Sequence, residues 1–515
     1  MGFTLYEKIC QSLIIKANPE KHIKMFGSIE NFMKEYPIGG LFVGGEICPY
    51  NEDKKARESI IAQYTKYSKT PLLVCMDGEE GVYSSVEGAT HLPPLLSVGA
   101  ADDPELAYRY SSVIASEIAG IGVNWTFAPV TDLAVNPQSL IMGNRVLGDD
   151  ADKAAPLLKE VIRGYHDNGL LCTAKHFPGD GVDFRNQHIV KSENTLSKEE
   201  WYRTYGKMFK TAIGEGIDAV MVGHISAPAF QNDSVDGAYP PGTLSSDIVT
   251  KLLKHEFGFG GVVVSDAMDM GGFLRWIYEQ DEAEVKCFEA GVDMLLWPQL
   301  RVAKHIEERV KNGEIPMSRV EDAFDRIMRL KKKIRTAELR RNSFEYGRET
   351  AQLLAERGSC LLRNAHIPLD PEKYKRVRIV GIATESELEK KTLEIIREEF
   401  AKRGAEVEVY TEWCNWGADH STLDRNYDLI LYVFMLPTDI PSPWGPPAVT
   451  IHTSMSFDLD KTVVVSLTSQ HILKQYCECA KTYINTYINE ISVRNLVRGL
   501  YGETQFTGKP PVKSF

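Results

Sequence analysis

The feature that most constrains this chain is a phrase repeated through its first two thirds: a short apolar run that ends in polar residues, followed by a stretch with helical spacing. The runs are GGLFVGGE, PLLVCMDGEEG, VNWTFAPVTD, LLCTAKHFPGD, DAVMVGHIS, GGVVVSDAMD and VDMLLWP. Strands that alternate with helices are expected to lie parallel. Their unbroken Val, Leu and Ile character predicts burial on both faces. Seven such runs suggest a closed TIM-type (β/α)8 barrel more than an open sheet, with the eighth strand not identified. Between them, DPELAYRYSSVIASEIAGIG and SRVEDAFDRIMRLKKKIR show helical periodicity. The second opens with Ser318 and Glu321 at capping-box spacing and is the helix expected to close the barrel.

At 515 residues the chain exceeds what one hydrophobic core usually supports. The pattern predicts a barrel domain over 1–335 and a charged linker or solvated helix over 336–350, within KKKIRTAELRRNSFEYGRE. A second α/β domain is predicted over 351–515. There VRIVGI, VEVY, YDLILYVFML, TVVVSL and TYINTYI predict a smaller doubly wound, flavodoxin-like sheet. No GxGxxG follows its first strand, so nucleotide binding has no support. The Pro-rich TDIPSPWGPPAVTIHTS, with Trp444, reads equally as a cover over a neighbouring site and as a rigid surface connection.

Charge and cysteine usage exclude several classes. A net charge of −12, with no long basic run, argues against nucleic acid and anionic membrane as partners. The amino-terminal MGFTLYEKICQSLIIKANPEKH has only a short apolar stretch, and no segment reaches the ~20 apolar residues of a spanning helix. A cytoplasmic protein is expected. The nine Cys form no CxxC pair or His-flanked cluster, so buried free thiols are expected; Cys477 and Cys479 make only a C-x-C.

In parallel barrels the chemistry sits at the carboxyl ends of the strands. Asp77 ends the second run, Asp132 the third, Lys175 and His176 the fourth, His224 the fifth and Asp266 the sixth. Together they outline a site for a polyhydroxylated ligand, because carboxylates and cationic donors fix sugar hydroxyls with paired hydrogen bonds.

The combination of KHFPGDG, VVVSDAMDM, MDGEEGV, GNRVLG and AGVDMLLWP resembles glycoside hydrolase family 3, in its β-N-acetylglucosaminidase branch. The resemblance extends to the closing YINTYINEISVRNLVRGLYGETQFTGKPPV. It implies that Asp266 is the catalytic nucleophile and that Asp77, Arg145, Lys175 and His176 hold the sugar's hydroxyls. His188 occupies the place of the branch's acid/base histidine, on a mobile loop after the fourth strand. Family 3 β-glucosidases take their acid from a carboxylate in the second domain, so the histidine loop discriminates. Neither a metal nor an organic cofactor is implied, and the expected partner is a small carbohydrate.

Two departures stand out. The branch's Asp-Ser-His is here Asn186-Gln187-His188, an amide in place of the carboxylate that orients the imidazole; Asp180 and Asp183 are the acids nearby in sequence. The branch's D-Q-E-G-G-R is here Asp77-Gly78-Glu79-Glu80-Gly81-Val82, and its second arginine falls near Ser85. The expected activity is a retaining exo-β-glycosidase removing N-acetylglucosamine, with phosphorolysis, a β-glucosidase or a catalytically impaired sugar-binding protein as the alternatives.

Overall fold

The computed structural model describes residues 2–44, 54–83, 86, 88–139, 141–234, 237–276, 279–334, 344–382, 386–410, 426–435, 459–471 and 479–513. The chain divides into two compact units, the first comprising Met1–Thr90, Ala107–Ser139 and Leu158–Phe344, the second His91–Leu106, Leu140–Leu157 and Glu345–Phe515. Two segments that a linear division at 336–350 assigns to the first domain thus pack with the carboxyl-terminal one. Backbone bonds hold them there, from Asp149 N to Pro511 O (3.1 Å) and from Lys509 N to Ala100 O (2.8 Å). Residues 336–343 of the expected linker, and Trp444 with its Pro-rich stretch, lie outside the described residues.

In the first unit the strands are β1 (Leu13–Lys16), β2 (Gly40–Phe42), β3 (Leu73–Met76), β4 (Trp125–Thr126), β5 (Thr173–Phe177), β6 (Ser192–Glu193), β7 (Ala219–Val222), β8 (Ile225–Ser226), β9 (Val262–Ser265) and β10 (Leu295–Leu296). They form parallel sheets in the orders β10-β1-β2-β3-β4 and β5-β7-β9, with β6 paired to β8. Isolated parallel bridges link Trp125 of β4 to Leu171, just ahead of β5, and Val264 of β9 to Met294, just ahead of β10. The sequence reading lacks the two-residue β6 and, in the larger sheet, β1. Its SLIIK follows directly on the helix Leu5–Cys10, so the apolar run merges with helical spacing. Alternate residues of these strands, among them Ile14, Phe42, Cys75, Trp125, Met221 and Val264, share one core with Ile327 and Leu330 of the helix Met317–Lys332.

That helix starts two residues earlier than the capping-box spacing implies. Pro316 is its N-cap and no side chain caps it; proline's fixed φ presets the first turn. Glu321 instead pairs with Lys8 at 2.6 Å. The helix ties down the segments that enter the strands. Arg326 donates to the carbonyls of Phe259 and Gly261 ahead of β9, and Arg319 pairs with the buried Asp293 ahead of β10 at 3.0 Å. Asp293 also pairs with the buried Lys254 at 2.7 Å.

In the second unit the strands are β11 (Cys360–Arg363), β12 (Arg376–Ile382), β13 (Glu406–Tyr410), β14 (Leu429–Phe434), β15 (Thr462–Ser466) and β16 (Thr482–Asn485). The order is β11-β16-β15-β14-β12-β13, parallel throughout except for β11 against β16. Leu429, Leu431 and Val433 enter one core and Ile430, Tyr432 and Phe434 another. Burial on both faces is what an unbroken apolar run demands. The expected five strands gain a sixth in β11, whose CLLR was not read as a strand.

Among the described residues no helix is long and apolar enough to cross a membrane. Cys10, Cys75, Cys172, Cys287 and Cys360 are free and buried, and Cys479 is free and exposed.

Lys331, 3 % exposed, donates to Gln11 Oε1 (2.6 Å) and Thr70 Oγ1 (2.9 Å). Burial brings its pKa down to about 7. The unfolded chain keeps that proton to about pH 10.4, so between these limits it binds more protons than the folded chain and stability rises with pH, by up to about 1.4 kcal/mol per pH unit. Chemical denaturation at pH 7 to 10 should show this slope, and Lys331→Met should lose it. Equal slopes in the two proteins would refute the assignment.

Candidate active site

Lys175 and His176 lie within β5, and both are buried. A buried ammonium needs acidic partners. Lys175 Nζ meets Glu79 Oε1 at 2.5 Å and Asp77 Oδ1 at 3.1 Å. Asp77 follows β3 and its side chain is 53 % exposed, so it neutralises the lysine while still presenting oxygens to an incoming ligand. Glu79, the deeper partner, was not singled out in the sequence; its signal is its place two residues on in MDGEEG.

Asp132, fully buried, accepts from His176 N (3.0 Å), His176 Nδ1 (2.7 Å) and Asp180 N (2.7 Å). An ionised carboxylate only accepts, so Nδ1 carries the hydrogen and Nε2 is left for other partners. Asp132 is therefore a positioning group for His176 and for the turn that follows β5.

Asp266 is the first residue after β9, and its N–H donates to Val222 O at 2.9 Å. Burial pushes its carboxyl up, but the imidazoles of His176, His224 and His188 and the N–H of Ala267 (2.8 Å) outweigh burial and hold it below the usual aspartate range. It is an ionised carboxylate with only 8 % exposure. Burial brings His224 down, against the opposing pull of Asp266. Its Nε2 lies 3.0 Å from Ala267 O, a pure acceptor, so Nε2 carries the hydrogen and Nδ1 accepts from the Thr243 hydroxyl at 3.0 Å.

His188 lies in the loop between β5 and the helix Lys198–Arg203. Asn186 Oδ1 accepts both the backbone N–H (2.9 Å) and the ring Nδ1–H (2.7 Å) of His188. This fixes the ring through Nδ1. Gln187 Oε1 accepts from His224 N (2.9 Å), and its Nε2 donates to Asp180 Oδ2 (3.2 Å). Asp183 is engaged with Arg185 Nε (2.6 Å) and Glu193 N (2.9 Å).

Where the sequence suggested a mobile loop, the structure shows one fastened on two sides. Gly271 N donates to His188 O (2.8 Å) and Gly272 N to Gln187 O (3.0 Å), while β6 pairs with β8 beyond. A Cβ at Gly271 would fall 2.1 Å from Ile189 O, and one at Gly272 2.6 Å from Gln187 O. The pair of glycines in SDAMDMGG was the available signal for this approach.

Asp77, Lys175, His176, His188 and Asp266 are thus brought together in the first unit. Arg145 belongs to the second, where its Nη1 donates to Ile141 O at 3.2 Å. Ser85 lies outside the described residues. Trp297, unremarked in the sequence reading, follows β10 with φ +61 and packs edge-on against Phe42. Lys16 Nζ lies 3.7 Å from its ring centroid and 2.7 Å from Asp269. Left-handed backbone at a bulky residue concentrates at functional sites.

Among the described residues, one group has metal-ligand character: His166, Cys172 and Asp218. It sits where the chain enters β5 and β7, the opposite end from Asp266. Asp218 already pairs with His166 (2.9 Å) and Lys333 (2.7 Å), and these cations hold it below its usual range despite burial. That is the chemistry of an ion-paired clamp.

Residues 4–330 match the family described as Glycosyl hydrolase family 3 N terminal domain. A Cellulomonas fimi protein named beta-N-acetylglucosaminidase/beta-glucosidase is 28 % identical over 93 % of this chain and 90 % of its own length. A beta-hexosaminidase of Stenotrophomonas maltophilia is 34 % identical over 39 % of this chain and 59 % of its own length. Among solved structures, beta-glucoside phosphorylase BglX bound to 2FGlc is similar with a TM-score of 0.87 at 27 % identity, over all of this chain and 95 % of that one. A family 3 β-N-acetylglucosaminidase from Paenibacillus shares the fold, with a TM-score of 0.83 at 24 % identity over all of this chain and 99 % of that one.

The geometry at Asn186 is testable without reference to any reaction. A carboxylate in place of the amide oxygen would stabilise the charged imidazole, so Asn186→Asp should raise the titration midpoint of His188. NMR of selectively labelled histidine reads this directly. Identical midpoints in the two proteins would show that Nδ1 does not face residue 186 in solution.

Proposed function

The chain belongs to glycosyl hydrolase family 3, and from that premise we propose that it is a retaining exo-β-glycosidase. The substrate class we infer is a small glycan or cell-wall fragment with a non-reducing β-N-acetylglucosamine. The observation that carries this reading is the buried, ionised Asp266 among three imidazoles, with His188 oriented by Asn186. Asp266 attacks the anomeric carbon and the glycosidic oxygen departs with a proton from His188 Nε2. Water then attacks the glycosyl–enzyme bond, His188 takes its proton, and Asp266 is released. Asp77, Lys175 and His176 hold the hydroxyls, and Asp132 positions His176.

A second reading is phosphorolysis. It is favoured by the whole-chain likeness to a β-glucoside phosphorylase and by a histidine in the acid/base place, which when neutral repels phosphate less than a carboxylate does. The name of the Cellulomonas fimi relative supports both N-acetylglucosaminides and β-glucosides as substrates.

For the scaffold we propose a closed (β/α)8 barrel carried mainly by 1–335, its two sheets joined through the bridges at Trp125 and Val264. The second domain, mainly 351–515, reads as flavodoxin-like, because β13-β12-β14-β15-β16 reproduces the strand order 2-1-3-4-5. The buried free thiols support a reducing compartment, the cytoplasm.

Asp266→Asn should fold normally and lose activity by on the order of 10⁴-fold, because no glycosyl–enzyme can form. An activated 2-fluoro sugar should label Asp266 in the wild-type chain. Labelling of another residue, or a variant with several per cent of the activity, overturns the assignment. Nitrophenyl glycosides differing at C2, assayed with and without phosphate, decide the sugar and separate hydrolysis from phosphorolysis by the product released.

A further inference from the structure

Among the described residues seven large apolar side chains stand exposed, and two of them, Phe184 (62 %) and Ile189 (44 %), flank His188 on its loop. Neither exposure comes from slack backbone. Asp183 accepts from Arg185 N (3.0 Å), Arg185 Nε (2.6 Å) and Glu193 N (2.9 Å), which fixes the turn that carries Phe184. Ile189 N donates to Asn186 O (2.9 Å), and Ile189 O is packed where Gly271 lacks a Cβ. The loop is built to hold both side chains toward water.

A general acid must come within hydrogen-bond reach of the leaving oxygen, about 2.6–3.2 Å. Phe184 and Ile189 share that acid's loop, four residues before it and one after. The charges beside them are already matched: Arg185 with Asp183 at 2.5 Å, and Lys191 with Glu193 at 3.2 Å and with Ser226 Oγ at 2.7 Å. Lys191 also lies 5.7 Å from the ring centroid of Trp276. A rim of paired charges and outward apolar groups suits a neutral leaving group with apolar surface better than an anionic one.

We propose that Phe184 and Ile189 form an apolar leaving-group subsite, which takes glycosides whose aglycone is aromatic or alkyl. The proposal rests on His188 being the proton donor.

The test is a series of 4-alkylphenyl β-N-acetylglucosaminides from methyl to butyl, whose phenols differ little in acidity. In the wild-type chain kcat/KM should rise roughly two- to fourfold per methylene, the gain for burying a CH₂ group. Phe184→Ser and Ile189→Ser should each flatten the gradient to less than half, while Phe184→Leu keeps it. A flat wild-type series with good turnover of the parent phenyl glycoside overturns the subsite and leaves the glycosidase reading intact. An undiminished gradient in both serine variants overturns it equally. No turnover of any glycoside overturns both readings. A flat series together with a concentration-dependent oligomer that Phe184→Ser dissociates would make the patch a self-association face, and the proposal falls.

Discussion

A carboxylate withdrawn from water must be compensated, and how Asp266 is compensated governs the rest of the site. An ammonium or guanidinium in contact would keep it ionised but occupy its lone pairs. Here imidazoles do the work, and the bond it accepts is the N–H of the next residue, Ala267. The nearest lysine of the motif is held elsewhere: Lys175 is taken up by Glu79 and Asp77. Spreading the compensation over His176, His224 and His188 has a structural consequence. Each imidazole needs a partner of its own, and Asp132, Thr243 with Ala267 O, and Asn186 are those partners.

The same logic explains why two loops that are distant in sequence are stitched together. His188 acts on Asp266 only if its loop stays near the end of β9. The backbone bonds from Gly271 and Gly272 to His188 and Gln187 achieve this, and Gln187 extends the link through its side chain to His224 N and Asp180. No side chain fits at either glycine without displacing a carbonyl. The amide at 186 is compatible with this arrangement because orientation needs only an acceptor. A full charge affects the stability of the imidazolium and not the placement of the ring.

Much of this was legible in the sequence because it is written in local patterns. Apolar runs leading to Asp77, Asp132, Lys175 and Asp266 marked the strands and the rim at once, since a parallel strand buried on both faces offers few places for polar residues besides its carboxyl end, and Lys175 and His176 lie inside β5 itself. What escaped was either too short or not local. β1 and β11 are four-residue runs abutting helices. Glu79 as the deeper partner of Lys175, the tie between the two glycines and the histidine loop, and the left-handed Trp297 depend on which strands become neighbours. The packing of 91–106 and 140–157 with the second unit is of the same kind, because nothing in those segments marks them as inserted. Arg145 went with them.

The two ends of the first unit's strands show how one set of interactions serves opposite purposes. Ahead of β5, β7, β9 and β10, buried Asp218 and Asp293 are engaged by His166, Lys333, Lys254 and Arg319, so neither carboxylate is open to a ligand. Beyond the same strands, Lys175 is paired with Glu79 and with Asp77, whose half-exposed carboxylate still faces solvent, while His176 and His188 are oriented through Nδ1 and His224 through both ring nitrogens. Saturated pairs lock a helix to the strands; under-saturated ones leave hydrogen-bonding capacity for a substrate. The distinction is one of stoichiometry, since the residue types at the two ends are the same. That is why a reading of residue types alone finds the chemistry only after the direction of the strands is known.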